Sequence, residues 1–342
     1  MSKTAGRKVA VVGATGAVGQ RMLKLLAERR FPADQIVPLA SGRSAGSTVT
    51  FDGKPLIVQE LTESSFSGID LALFSAGSSI SERFAPIAAQ SGAWVVDNTS
   101  FFRMHDDVPL VVPEINKEAA FTAPRRIIAN PNCSTIQMVV ALEPLRQVAG
   151  LRRIVVSTYQ SVSGAGQRAI GELGDQMRAW SADKPLPKPQ IFSHTMLFEC
   201  LPQIGDFRPD GYSVEERKMI DETRKIFDLP ELAISATAVR VPVLYSHSEA
   251  VNVEFERPLS AEQARSLLAE AAGVEVIDEP RAQRYPLARK AAETDPVYVG
   301  RIRQDPCHPN TLDLWIVADN LRKGAALNAI QIGELLVERN LL

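Results

Sequence analysis

The run Lys8-Val-Ala-Val-Val-Gly13-Ala-Thr-Gly16-Ala-Val-Gly19 decides how the chain begins to fold. It opens as a short apolar stretch of β-branched character, which suits a buried strand, and its glycines then lead into a helical pattern. Val18, Met22, Leu25 and Leu26 fall on one face while Gln20, Arg21, Lys24 and Glu28 take the other, so this helix must pack on a sheet. Glycines allow a sharp bend and a close approach to a pyrophosphate, where the helix N-terminus offers free N–H groups and a positive dipole end. The spacing is G-x-x-G-x-x-G rather than G-x-G-x-x-G, yet the strand before it and the amphipathic helix after it favour nucleotide binding over an ordinary tight turn. Gly13, Thr15, Gly16, Ala17 and Val18 are the candidate contacts.

Working outward, Gln35-Ile-Val-Pro-Leu-Ala40 reads as the second strand and ends in Ser41-Gly-Arg43-Ser44. NAD-binding chains place an acid here for the ribose hydroxyls. A guanidinium and hydroxyls suit a 2′-phosphate instead, so Ser41, Arg43 and Ser44 point to NADP. Further strands at Asp70–Ser75 and Ala93–Asp97 flank a helical stretch from Ser81 to Ser91. This rhythm predicts a Rossmann-type, doubly wound parallel sheet, an α/β fold.

The remaining bulk properties bound the rest. At 342 residues the chain is long enough for two domains, and its 45% hydrophobic and 23% charged content is that of an ordinary globular protein. A net charge of -2 with dispersed cations excludes a nucleic-acid stripe, and no apolar run approaches the ~18 residues of a membrane span. The expectation is a cytoplasmic protein. Cys133, Cys200 and Cys307 are few, odd in number and far apart, which fits a reducing compartment; no metal site is expected, and Cys200 reads as a small buried hydrophobe.

Cys133 reads differently. Asn130-Pro-Asn-Cys133-Ser-Thr joins an apolar strand to a helical run, so the thiol lies at a helix start, where the dipole favours a thiolate and an attacked oxyanion. Downstream, Ser213-Val-Glu215-Glu216 forms a capping box with Lys218 three residues after Glu215. Arg240 interrupts the apolar run Ala238–Pro242 and His247 follows closely.

The segment N-P-N-C-S-T-I-Q resembles the nucleophile region of aspartate-semialdehyde dehydrogenases, and the likeness extends over nearly the whole chain. It implies a thioester on Cys133, proton transfer by His247 and orientation of the substrate by Gln160. It also implies that Arg240 forks onto a substrate carboxylate, that Glu215 meets an amino group, and that Lys218 and Arg103 share a phosphate. Ser163, Gly164 and Asn320 would adjoin the nicotinamide. The implied architecture is an NADP-binding domain from 1–130 plus 320–342 and an α+β catalytic and dimerisation domain over 131–319, paired as a homodimer.

The implied reaction is NADPH-dependent reduction of L-aspartyl 4-phosphate to the 4-semialdehyde, a step toward lysine (through diaminopimelate), threonine, methionine and isoleucine. The rival readings are an N-acetyl-glutamyl-phosphate reductase, which handles a blocked amino group, and a non-catalytic NADP-binding sensor. Glyceraldehyde-phosphate dehydrogenase suits Arg43 and the Cys133 context less well. A short-chain dehydrogenase would need a Tyr-x-x-x-Lys that the sequence lacks.

Overall fold

The computed structural model describes residues 6–342, and the chain divides into two compact units, Met1–Asn132 with Ala325–Leu342, and Cys133–Gly324. The first unit runs β1 (Lys8–Val12), α1 (Ala17–Glu28), β2 (Gln35–Ala40), a hairpin of β3 (Thr48–Phe51) and β4 (Lys54–Ile57), then β5 (Gln59–Glu60) and β6 (Leu71–Phe74). It continues through α2 (Ser78–Gln90), β7 (Trp94–Asp97), the single turns α3 (Pro113–Asn116) and α4 (Glu118–Phe121), and β8 (Ile127–Ala129).

Its sheet has the order β5-β2-β1-β6-β7-β8, all parallel. Near-continuous apolar strands such as Val9–Val12 and Leu71–Phe74 are fully buried, as a parallel sheet covered on both faces requires. The chain steps from β1 to β2 on one side and returns to β6 on the other. The crevice beyond the carboxyl ends of β1 and β6 is therefore the switch point of a doubly wound fold.

The second unit opens with α5 (Cys133–Ala149), β9 (Arg153–Gln160), α6 (Gln167–Ser181), α7 (Val214–Phe227), β10 (Ala233–Arg240) and β11 (His247–Glu254). It closes with α8 (Ala261–Glu270), β12 (Val274–Val276), α9 (Ala288–Ala291), β13 (Val297–Gln304) and β14 (Thr311–Ala318). The sheet order is β10-β9-β11-β14-β13-β12, parallel at its two outer pairs and antiparallel between them. Period-two alternation gives it two faces. Thr158, Gln160, His247, Glu249 and Ile316 are on the buried side, while Tyr159 and Trp315 pack together on the outer side, tilted, with ring centroids 5.5 Å apart.

After β14 the chain forms a π-turn at Arg322–Ala326 and the helix α10 (Leu327–Glu338). Leu327, Ile330, Ile332 and Leu336 join the first unit's core with Val9, Met22, Leu71 and Leu73, and Arg29 forks onto Glu334 with two bonds of 2.7 Å. Residues 320–324, expected with this unit, belong to the second one. Asn320 is bound there to Ser161, Ser163 and Ser246, in the loops after β9 and before β11.

Candidate active site

Within the second unit, the functional side chains gather at one end of the sheet because the strands carrying them end in register. Gln160 and Arg240 are the last residues of the parallel pair β9 and β10 and lie opposite each other. The antiparallel β11 starts at the same end with His247, paired to Ala318 of β14. Cys133 is the first residue of α5 and is half-buried. Cys133 lies within electrostatic reach of Arg240, and a Cβ at Gly324 would lie 2.9 Å from the Cβ of Cys133.

His247 is wholly buried. Its Nδ1 accepts the backbone N–H of Ser161 at 3.0 Å, with the Ser161 hydroxyl 3.1 Å away. An amide N–H can only donate, so the neutral ring carries its proton on Nε2, which has no hydrogen-bond partner among the described residues. Burial first, and the Arg240 charge second, push the imidazole down to about 3, so the ring is neutral at physiological pH.

Arg240 is 6% exposed and donates from Nη1 to the Ser161 carbonyl at 2.7 Å. Burial lowers its pKa from the ordinary guanidinium value, while the charges of Glu215 and Cys133 pull the other way; guanidinium remains a cation. Gly164 makes room for both cation and ring: a Cβ there would stand 2.8 Å from Arg240 Nη1 and 3.2 Å from His247 Cε1.

Gln160 Nε2 donates to Glu215 Oε1 at 3.2 Å, and Lys218 Nζ lies 3.3 Å from Glu215 Oε2. The capping box that places this pair is present. Glu216 accepts the Ser213 N–H at 2.6 Å and the Ala238 N–H at 2.9 Å, which fastens the first turn of α7 to β10. The buried Asn320 accepts from both Ser161 and Ser163 hydroxyls and from the Ser246 N–H, at 3.0–3.2 Å.

Sequence reasoning did not single out the organising roles of Ser161, Ser246 and Gly324. Ser246 holds φ at +70, a conformation uncommon outside glycine, immediately before His247. Nothing in a serine's identity announces that. Cys200, expected to be buried, is exposed, because it lies in the surface segment that connects α6 to α7.

In the first unit the glycine turn follows β1 at the switch point. Gly13 has φ +87 and a Cβ there would stand 2.6 Å from the Ser75 carbonyl, while a Cβ at Gly19 would collide with the Gly13 carbonyl. The N–H groups of Thr15, Ala17 and Val18 donate to no backbone carbonyl among the described residues, and Gly16 starts the helix without a side-chain cap. A donor cradle of this kind fits a pyrophosphate. Ser41, Arg43 and Ser44 lie on the turn after β2, with Ser41 and Arg43 exposed. Arg103 is 7% exposed and donates to the carbonyls of Asn130 and Asn98 at 2.9 Å, beyond the ends of β8 and β7.

Comparison with known proteins matches residues 8–123 to the semialdehyde dehydrogenase NAD binding domain and residues 142–323 to the semialdehyde dehydrogenase dimerisation domain. An aspartate-semialdehyde dehydrogenase of Aquifex aeolicus is 53% identical over 98% of this chain and 100% of its own. This chain belongs to the aspartate-semialdehyde dehydrogenase family. The crystal structure of aspartate semialdehyde dehydrogenase II from Vibrio cholerae, complexed with ASA, superposes with a TM-score of 0.95 at 49% identity, covering 98% of this chain and 99% of that one. The Candida albicans aspartate semialdehyde dehydrogenase with NADP gives 0.78 at 26% identity, covering 99% and 100%. The family pairs an NAD binding domain with a dimerisation domain, and both expected α/β units are present in this chain.

Proposed function

We propose that the chain reduces L-aspartyl 4-phosphate to L-aspartate 4-semialdehyde with NADPH, through a thioester on Cys133. One observation carries this reading. A half-buried thiol at a helix start lies with Arg240, Gln160 and a neutral imidazole whose Nε2 is open, all at one end of one sheet.

The Cys133 sulfur attacks the acyl carbon, forming C–S, and the C–O bond to phosphate breaks with its electrons on the leaving oxygen. His247 meets the carbonyl oxygen at Nε2, where protons enter and leave, and Gln160 orients it. Arg240 takes the α-carboxylate in a fork, and Glu215 takes the ammonium. Lys218 and Arg103 neutralise the departing phosphate. A nicotinamide bound here would supply the hydride that the thioester carbon needs, and Cys133 would take back the C–S electrons as the aldehyde leaves. The Thr15–Val18 amides, with Gly13 and Gly16, would hold the pyrophosphate, Ser41, Arg43 and Ser44 the 2′-phosphate, and Ser163, Gly164 and Asn320 the nicotinamide half.

Glu215 supports a free amino group over a blocked one, which speaks against the N-acetyl-glutamyl substrate. A nucleophile with this setting speaks against the sensor. The domain bounds 1–130 plus 320–342 and 131–319 are kept as a functional division between cofactor and catalysis. A homodimer through the outer sheet face, where Tyr159 and Leu287 are exposed, completes the reading, as does a cytoplasmic location; no helix of the described residues is long and apolar enough to cross a membrane.

The test is the reverse reaction, followed as NADPH absorbance with aspartate semialdehyde, phosphate and NADP. Phosphate-dependent NADPH formation, lost in Cys133→Ala while NADPH binding persists, is expected. Activity with N-acetyl-glutamate semialdehyde alone would overturn the substrate, and silence with both would overturn the enzyme.

A further inference from the structure

Beneath the reacting groups lies a second polar pair for which the mechanism above has no use. Glu249 follows His247 by two residues on β11, so both side chains project from the buried face, ~7 Å apart along the strand. Gln137 follows Cys133 by four residues on α5 and so lies one turn below it, ~6 Å away on the same helix face. Both Glu249 and Gln137 are completely buried. The Gln137 amide faces the carboxyl, yet neither carboxyl oxygen and neither amide atom reaches full hydrogen-bond geometry.

Among the described residues no charged group sets the state of Glu249; burial and Gln137 do. Across the sheet Glu249 pairs with Thr158 of β9 and Ile316 of β14. On α5 the titratable groups are Cys133, Glu143 and Arg146, the last two engaged with each other. On β11 they are His247 on the same face and Glu254 at the far end, which meets Arg152. On β9, Arg153 and Tyr159 project from the other face, as does Asp313 of β14, which meets Arg303. Burial holds the Glu249 carboxyl well above the ordinary value, and Gln137 offsets only part of this. Burial thus favours Glu249 as an uncharged acid with one O–H to donate, and the Gln137 side chain that faces it carries both a donor and an acceptor.

We propose that Glu249 is a positioning residue, which through Gln137 sets the first turn of α5 and so the placement of the Cys133 sulfur against His247. A neutral acid does this without setting a second negative charge behind a thiolate. The inference rests on the thioester reading, but its test separates the two, since alkylation of Cys133 needs no turnover.

The experiment compares Glu249→Leu, Glu249→Gln and Gln137→Leu/Glu249→Leu for kcat, KM, melting temperature and the pH midpoint of iodoacetamide alkylation at Cys133, resolved from Cys200 and Cys307 by peptide mass spectrometry. Glu249→Leu is expected to lose about tenfold to hundredfold in kcat with KM little changed, as a misplaced nucleophile should. Glu249→Gln, which keeps a donor without charge, should restore most of that loss and leave the alkylation midpoint where wild type has it. The double variant leaves no orphaned polar group and should regain stability but not kcat. Recovery of kcat together with stability would reduce the pair to a structural role. A lower alkylation midpoint in Glu249→Gln would show that Glu249 is ionised, and either result overturns the proposal.

Discussion

A methyl group at position 324 would stand 2.9 Å from the Cβ of Cys133 and 3.3 Å from its Cα, so only glycine lets the chain pass so close to that residue. Gly324→Ala must push one of the two aside, and displacement of a reacting atom by ~1 Å can cost about a hundredfold. A drop in kcat of at least about tenfold is expected, with slower alkylation of Cys133 in parallel; unchanged alkylation would refute the crowding. Two buried groups set opposite dependences of stability on pH. His247, ordinarily at 6.5, is held neutral down to about 3, so as pH falls the unfolded chain takes the proton first and stability is lost across that window. Glu249, ordinarily at 4.5, keeps its proton well above that, so as pH rises the unfolded chain gives it up first and stability is again lost. Each slope is at most about 1.4 kcal/mol per pH unit. Above pH 6.5 only the Glu249 loss operates, and below 4.5 only that of His247. Glu249→Gln should therefore gain urea resistance relative to wild type at pH 8 and not at pH 4; an equal change at both would refute the buried neutral acid.

At the scale of elements, α7 is where a local sequence signal places distant chemistry. Ser213 and Glu216 close the capping box that the S-x-x-E spacing predicts, and the same Glu216 reaches the N–H of Ala238 on β10. Glu215 and Lys218 ride on that turn, so a structural residue sets where the two proposed substrate contacts stand. Glu216→Ala removes the cap's return bond and the tie to the strand, at a cost of roughly 1–3 kcal/mol. Differential scanning calorimetry should show a lower melting temperature, and steady-state kinetics a raised KM for semialdehyde with a smaller change in kcat. A KM that does not move would separate Glu215 and Lys218 from the cap. The strand carrying Arg240 ends at that residue, short of Pro242; the Val241 N–H makes one last bond to the Gln160 carbonyl of β9, and the chain then turns, with the Val243 N–H donating to the Val241 carbonyl.

For the whole molecule, cofactor choice and assembly can be tested independently. An acid in place of Arg43 removes a cation and repels a 2′-phosphate, so Arg43→Asp should raise KM for NADP by about tenfold, equivalent to ~1.4 kcal/mol, while KM for NAD falls or holds. Equal effects on both cofactors would place Arg43 away from that phosphate. Leu287, 45% exposed beside the Tyr159 and Trp315 face, offers an uncovered apolar surface on the second unit. Leu287→Glu should shift light scattering from dimer toward monomer, and an unchanged mass would direct the pairing elsewhere.

The strand–glycine–helix opening, the parallel α/β sheet, the capping box and a thiol at a helix start were all determined by the sequence itself. Each rests on residues a few positions apart, where backbone sterics, periodicity and the helix dipole act. Tertiary structure alone decided the Nε2 proton on His247, since that follows from a backbone N–H 86 positions earlier. It alone decided that Glu249 is buried with neither carboxyl oxygen hydrogen-bonded among the described residues, that Gly324 presses on Cys133, and that Cys200 is exposed. These depend on which surfaces meet through space, and desolvation and close contact are properties of that meeting rather than of any stretch of chain.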